Sequence, residues 1–239
     1  MKYSFIIPTL NEEKLLSNIL DQIKSISNEI ECEIIISDGG SSDKTLEIAN
    51  SFTHKIILHG KSGKQTIAEG RHDGAKEATG EILVFINADV KIKDTFKFIM
   101  EIKKFEKSNA LAMTCNVRVF EDEEILSDKL FLTFYNNYFH FLNIIGLGMG
   151  RGECQIVKKD IYEKLGGYNI KLAAGEDFEL YKRIRKLGGI MFSRKLTILE
   201  SPRRYRKEGH WRILFKWFFN SILVIFTNKS FSDDWEQVR

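Results

Sequence analysis

Short apolar runs along this chain alternate with segments whose apolar residues recur every three or four positions, a switch between strand and helix periods. "YSFIIPT" (residues 3 to 9) reads as a first strand. Asn11 then reads as a helix N-cap, with Glu12 and Glu13 in the first turn and Leu15, Leu16, Ile19, Leu20, Ile23 and Ile26 along one face. "CEIIISD" predicts a second strand ending in Asp38, and "SSDKTLEIANSF" a second helix with Ser and Asp at its cap. "HKIILH" is a third strand, and residues 64 to 78 predict a helix despite Gly70 and Gly74. "EILVFINADVKI" (81 to 92) is a fourth, buried strand that ends abruptly in Asn87-Ala88-Asp89, with a helix from Thr95 to Glu106 after it. This order is that of parallel βαβ units, an α/β architecture with a Rossmann-like, mostly parallel central sheet flanked by helices.

Beyond residue 110 the pattern changes. "LAMTCNVRVF" reads as another strand, and "DKLFLTFYNNYFHFLNIIGLG" is rich in aromatics without a clean polar face. "GRGECQIVKKDIYEKLGGYN" reads as strand, helix and Gly-Gly turn; "GEDFELYKRIRKLGG" is a helix with acids at its start and a glycine stop. Last come the basic "SPRRYRKEGHWR" and the apolar "ILFKWFFNSILVIF". The expected organisation is one domain over residues 1–205 and a basic and apolar helical appendage over 206–239. The apolar segment, residues 213–226, is too short and too interrupted by Lys216 and Asn220 to span a bilayer. It is left to contact a membrane interface, the domain itself or a second subunit.

Composition narrows this picture in a few places. A chain of 239 residues with 43% hydrophobic content can bury one sizeable core. The net charge of +3, from 36 basic and 33 acidic residues, is nearly balanced, and one basic cluster makes a poor nucleic-acid footprint. Cys32, Cys115 and Cys154 are odd in number and lack CxxC spacing, which disfavours a disulfide framework or a zinc site and fits a reducing cytoplasm. The apolar run in "MKYSFIIPTLNEE" is too short for a signal-peptide core. No GxGxxG follows the first strand, which disfavours a dehydrogenase.

The candidate chemistry lies at strand ends. Pro8-Thr9-Leu10-Asn11-Glu12, Asp38-Gly39-Gly40-Ser41 and Asn87-Ala88-Asp89 all fall at the carboxyl edge of the predicted sheet, where open α/β folds bind ligands. Asn87 and Asp89, one residue apart on an extended chain, point the same way and could share a hard cation such as Mg²⁺ or Mn²⁺. Alone, an N-x-D is more often a turn. In "GEDFELYKR", Glu176, Asp177 and Glu179 share one helical turn. Three carboxylates exceed what a cap requires, so repulsion should raise at least one pKa unless a cation or donor network sits nearby. That is how a general base is made.

Taken together, "FIIPTLNEE", "ISDGGSSDKT", "GRHDGAKEATGEILVFINAD", "GECQIVKKDIYEKLGGYN" and "GEDFELYKR" resemble the family 2 glycosyltransferases, inverting enzymes of the GT-A fold. The resemblance implies transfer of a hexosyl-like unit from a UDP- or GDP-linked sugar to a hydroxyl acceptor. Pro8, Thr9, Asn11, Glu12, Asp38, Gly39, Asn87 and Ala88 would line the donor pocket, with Asp38 on the base. Arg71 and Lys64 are candidates to reach the donor. Asp89, last residue of a DxD-like motif whose first position here is Asn87, would bind the metal. Asp177 would be the catalytic base, with Glu176 orienting hydroxyls. His210 is a candidate second metal ligand, and Arg204 and Arg206 candidates to clamp the diphosphate, although a solvated basic face or lipid headgroup contact fits the same cluster. The acceptor could be lipid-linked, which would place the enzyme at the inner face of the membrane.

Two rivals stay open. A sugar nucleotidyltransferase shares the layout, but "PTLNEEK" is not its Gly-rich basic loop. A catalytically silent nucleotide-binding or scaffold protein would fit Asn87, but it has no evident need for Glu176 and Asp177.

Overall fold

The computed structural model describes residues 1–60 and 63–227. Its elements run β1 (Tyr3–Thr9), α1 (Leu16–Ile26), β2 (Cys32–Asp38), α2 (Thr45–Asn50), β3 (Ile56–Leu58), α3 (Ile67–Lys76), β4 (Ile82–Ile86), β5 (Val90–Ile92), α4 (Thr95–Glu106), β6 (Ala112–Val119), α5 (Leu126–Ile144), β7 (Cys154–Lys158), α6 (Lys159–Lys164), α7 (Glu176–Leu187), β8 (Ile190–Glu200), α8 (Arg203–Glu208) and α9 (His210–Thr227). The strands form one sheet in the order β3-β2-β1-β4-β7-β6-β8-β5.

β1 lies parallel to β2 and β4, and β2 to β3. β7 is antiparallel to β4 and β6, while β8 is parallel to β6 and antiparallel to β5. Followed across the sheet, β1, β2, β3, β4, β6 and β8 point one way, and β5 and β7 oppose them. The carboxyl ends of β1, β2, β4 and β8 therefore share an edge with the loops that enter β5 and β7.

Both faces of the sheet are covered, so its central strands are apolar on both sides. Tyr3, Phe5, Ile7, Val84 and Ile86 pack with α1 and α4, and Ile6, Leu83 and Phe85 face the layer of α3, α6 and α7. Gly74 explains itself here: a Cβ would stand 2.5 Å from Ile6 Cγ2, so α3 lies directly on β1.

The structure departs from the sequence reading at four places. Asn11 does not cap a helix: it takes φ 51°, and α1 begins at Leu16. Its Oδ1 instead accepts from Ser42 N at 2.6 Å and its own amide donates to Ser41 Oγ at 2.8 Å, which ties the loop after β1 to the loop after β2. α2 opens at Thr45, because Asp43 folds its carboxylate onto the Thr45 amide. Residues 81–92 form two strands rather than one: after Asn87 the chain crosses the carboxyl edge to pair as β5 with β8 at the far side of the sheet. β8 itself was not foreseen. Arg194 and Lys195 interrupt its apolar alternation, and its register to β6 shifts between Cys115 and Asn116.

α9 packs on α5 through Ile213 and Trp217, which meet Leu132, Phe131 and Tyr205. The last part of the expected appendage, residues 228–239, lies outside the described residues. Among those described, no helix is long and apolar enough to cross a membrane.

Candidate active site

A cavity of about 530 Å³ opens at the shared edge. Its floor is the link from β4 to β5, the loop into β7 and the start of α7; aromatic side chains of α5 and α9 form the far wall. Asn87 and Asp89 both face it, while Ala88 between them is buried in the core, as alternation requires.

Arg71 of α3 organises the floor. It is fully buried, donates Nη1 to Glu176 Oε1 at 2.6 Å, and Nη2 to Asn87 Oδ1 at 2.8 Å and to the Gly152 carbonyl. One guanidinium thus joins α3, the end of β4, the loop into β7 and α7. Asn87 serves here as an amide acceptor from arginine.

The three acids of the first turn of α7 are separated by their partners. Glu176 is held by Arg71, and Glu179 by Nε and Nη2 of Arg183. Arg183 also donates to the carbonyls of Leu165 and Gly167, which docks α7 on the Gly-Gly turn. Asp177 has no cationic partner among the described contacts. Its Oδ1 accepts from its neighbour's amide, Phe178 N, at 2.8 Å. Burial, reinforced by the Glu176 charge, pushes its pKa up to about 7. The pKa rise foreseen for this turn therefore falls on the one of its three carboxylates that has no arginine bonded to it among the described contacts.

The opposite wall is also ionic. Arg203 donates Nη2 to Asp89 Oδ2 at 3.0 Å and lies 3.4 Å from Glu12 Oε2, so a cation already bridges the ends of β1 and β4. Arg151 is paired with Glu153 through Nε at 3.1 Å, and despite burial Arg151 keeps the Glu153 carboxyl below its usual pKa. Glu200, at the end of β8, accepts from Tyr205 Oη; burial and the Glu153 charge push its pKa well above the carboxylate range.

The predicted donor residues separate into groups. Arg71, Asn87, Asp89, Glu176, Asp177 and Arg204 line the cavity. Asp38 is fully buried and its four acceptor positions are taken by Thr9 Oγ1, Ser41 Oγ, Gly40 N and Ser41 N, so it holds its own turn together with Thr9 and Gly39 beside it. Pro8 lies against α3 at Gly70, and Lys64 is exposed on the loop before α3. His210 and Arg206 are placed away from the cavity lining: both bind the buried Asp128, at 2.7 Å and 2.6 Å. That carboxylate sits at the start of α5; against burial, the hydrogen bonds from Arg206, Ile125 N and His210 hold its pKa down.

Sequence reasoning missed Arg151, Glu153 and Glu200 as cavity residues, while Arg203 belongs to the basic cluster that it offered for clamping the donor phosphates. "TILE" ending at Glu200 carried a usable signal, a fourth apolar run closing on a carboxylate at the same edge. Arg151 carried none, since nothing local shows that a loop arginine is buried.

The profile described as Glycosyl transferase family 2 matches residues 4–166. By sequence the chain is 34% identical over 103 residues to the poly(ribitol-phosphate) beta-N-acetylglucosaminyltransferase TarS of Staphylococcus aureus, covering 41% of this chain and 18% of that protein. It is 30% identical over 161 residues to the dolichyl-phosphate beta-glucosyltransferase ALG5D of Trichomonas vaginalis, covering 61% of this chain and 46% of that protein. The matches thus span less than half the length of these curated relatives. By structure, the mannosyltransferase PcManGT from Pyrobaculum calidifontis, solved with GDP-Man and Mn²⁺, is similar with a TM-score of 0.68 at 20% identity, covering 91% of this chain and 64% of that one. That likeness gives the GT-A fold. The matched profile takes in more than half of the chain, from β1 through α6 and with it Arg71, Asn87, Asp89 and Gly152, and the chain belongs to glycosyl transferase family 2.

Proposed function

We propose that this chain transfers a glycosyl unit from a nucleotide diphosphate sugar to an acceptor hydroxyl, with inversion at the anomeric carbon and Asp177 as general base. The observation that carries the reading is the unpaired Asp177 carboxylate in the cavity, flanked by two glutamates that arginines have neutralised. The acceptor oxygen attacks the anomeric carbon from the face opposite the nucleotide, its proton passes to Asp177, and the bond to the diphosphate oxygen breaks. No protein nucleophile is required. Arg71 fixes Glu176 and, through Gly152, the loop beside the base; the aromatic wall keeps water from competing with the acceptor.

Asp89 fits a hard divalent ion. Its carboxylate is a third exposed on the cavity, and Mg²⁺ or Mn²⁺ ordinarily takes one or two carboxylates, with substrate phosphates and water completing its shell. Bound there, such an ion would stabilise the departing diphosphate as a Lewis acid. Arg203 and Arg204 would border that diphosphate, and Asp38 would shape the base pocket through the turn it holds. GDP-Man and Mn²⁺ in the structural neighbour support this class of donor and ion. His210 would serve as a ligand only after leaving Asp128.

Calorimetry with UDP and with GDP, each in Mn²⁺ and in EDTA, tests the reading. One nucleotide is expected to bind in Mn²⁺, and Asp89→Ala to weaken it about tenfold or more, 1.4 kcal/mol per decade. Equal affinity with and without the ion would remove the metal assignment; no binding of either nucleotide would bring the silent scaffold forward.

A second expectation concerns Gly152. A Cβ there would stand 3.3 Å from Asp177 Oδ2 and 3.9 Å from Arg71 Nη2. Gly152→Ala is expected to displace the carboxylate and lower kcat about tenfold or more, with Tm changed by only ~2–4 °C. Unaltered kcat would mean that the position of this carboxylate is not critical.

A further inference from the structure

A second cavity, of about 630 Å³, lies across α5 from the first. Residues of β6 and β8 line one side of it, and α5 and the link from β5 into α4 line the others. Helix α5 is the wall between the two: Phe134, Tyr135 and Tyr138 face the first cavity, and Thr133, Asn136 and Asn137, on the opposite side of the helix, face the second. The transfer chemistry above uses none of the residues that line this second space.

Charge sets it apart. Each of its carboxylates is matched to a cation of the same lining: Glu121 to Lys93 at 2.6 Å, Asp94 to Lys97 at 3.1 Å, and Glu124 to Arg118 through Nε at 2.8 Å and Nη2 at 3.0 Å. Arg194 and Lys195 are left over, with no carboxylate partner among the described residues. The Arg194 guanidinium meets Asn137 Oδ1 at 3.4 Å. His140 beside it supplies no anion, and burial together with the Arg194 charge pushes its pKa down, so the ring stays neutral. Both leftover cations stand on a built feature. Ser193 of β8 pairs with Cys115 and Thr197 with Asn116, so Arg194, Lys195 and Leu196 bulge from the ladder with no residue of β6 opposite them. Asn116 Nδ2 donates to the Arg194 carbonyl at 2.9 Å, Leu196 N donates to Ser193 Oγ at 3.1 Å, and that hydroxyl donates to buried Glu101 at 2.6 Å. Leu196 anchors the bulge in the core, while Arg194 and Lys195 are exposed. Bulges re-aim side chains, and this one aims two unmatched cations at one cavity.

We propose that this cavity is a second, non-catalytic site that binds a small anion with two phosphoryl groups through Arg194 and Lys195. Two unmatched cations call for two negative centres, and phosphoryl oxygens suit both the planar fork of an arginine and the point charge of a lysine. Lys93 and Lys97 can add to the site, because exposed ion pairs such as theirs contribute little and exchange readily for a ligand of higher charge. The volume suits a ligand of metabolite size. Free pyrophosphate and a bisphosphate ester on a carbon skeleton share this chemistry. The site goes beyond the transfer reading and does not depend on it, since Arg194 and Lys195 take no part in that reaction.

Calorimetry of the full chain in EDTA with inorganic phosphate, pyrophosphate and fructose 1,6-bisphosphate tests this. At least one of the two ligands with paired phosphoryl groups is expected to bind about tenfold or more tighter than inorganic phosphate. The double variant Arg194→Gln/Lys195→Gln, at exposed positions, is expected to keep the Tm of the parent and to weaken that ligand about tenfold or more. Arg204→Gln, in the first cavity, is expected to leave its affinity within about twofold. Tighter binding of pyrophosphate supports the site and assigns it to the free anion; tighter binding of the bisphosphate supports it and assigns it to an ester. Binding of neither overturns the proposal, and so does equal affinity for all three ligands. Unchanged affinity in the Arg194/Lys195 variant also overturns it, as does a loss confined to the Arg204 variant, which would put the anion in the first cavity. Anion binding at Arg194 and Lys195 without nucleotide binding supports the site and removes transfer; nucleotide binding without it overturns the site and leaves transfer standing.

Discussion

Asp177→Asn is expected to lower transfer by about 10²–10⁴-fold, the usual contribution of a positioned base, while nucleotide affinity stays within about twofold, as the side chain is not required to hold the donor. In the parent chain kcat/KM should rise with pH and level off above an inflection near the Asp177 pKa of about 7, because only the ionised carboxylate accepts a proton. The variant should lack that inflection. Turnover within tenfold of the parent, with the inflection retained, would take Asp177 out of the mechanism.

The same substitution has a stability signature of opposite sign. In the unfolded chain this carboxyl titrates near pH ~4, and in the folded chain near about 7. Between those values the folded state binds the extra proton, so stability falls as pH rises, and above the folded pKa the full penalty of a buried unpaired charge applies. Asparagine carries no such charge and can still accept from Phe178 N. The variant is expected to be about 1–3 kcal/mol more stable than the parent at pH 8 and equal to it below pH ~4. Thermal unfolding at the two pH values checks this, and equal Tm at pH 8 would mean that the carboxylate is solvated or paired in solution.

Arg71→Met is expected to have the largest effect on folding. Methionine fills much of the volume but supplies no donor, and it leaves Glu176 buried with its charge uncompensated and Asn87 Oδ1 and the Gly152 carbonyl without their bonds. Breaking a buried pair in this way costs about 3–5 kcal/mol, or roughly 6–20 °C in Tm for a chain of this size. Adding Glu176→Gln removes the stranded charge and should recover part of the loss, a coupling that a double-mutant cycle in urea would measure. A loss below ~1 kcal/mol in the single variant, or no recovery in the double, would show that Arg71 does not hold the floor together.

These effects meet at a place only partly visible in the sequence. The turn Glu176-Asp177-Phe178-Glu179 announced that one carboxylate would be perturbed, because three like charges on one helical turn cannot all be stabilised by the helix terminus. Which one it would be depended on Arg71, 105 residues from Glu176 in sequence, and on Arg183 one turn further along α7. The Asn87-x-Asp89 spacing likewise announced two side chains on one side of an extended strand end. It carried no sign that the amide would be held by arginine, or that the chain would then leave the strand and become β5 across the sheet.

By itself the sequence determined the βαβ order, the bounds of β1, β2 and α4, and the strand ends at which polar groups gather, since these follow from local periodicity and from side chains that alternate along a strand. The tertiary structure alone decided the partners. Asp38 was spent on its own turn, His210 and Arg206 on Asp128, and Arg203 on Asp89 and Glu12, while Arg151 was buried beside Glu153. Pairing of buried charges depends on distances between segments far apart in the chain, and a carboxylate's role is set by which cations the fold brings within a few ångströms of it.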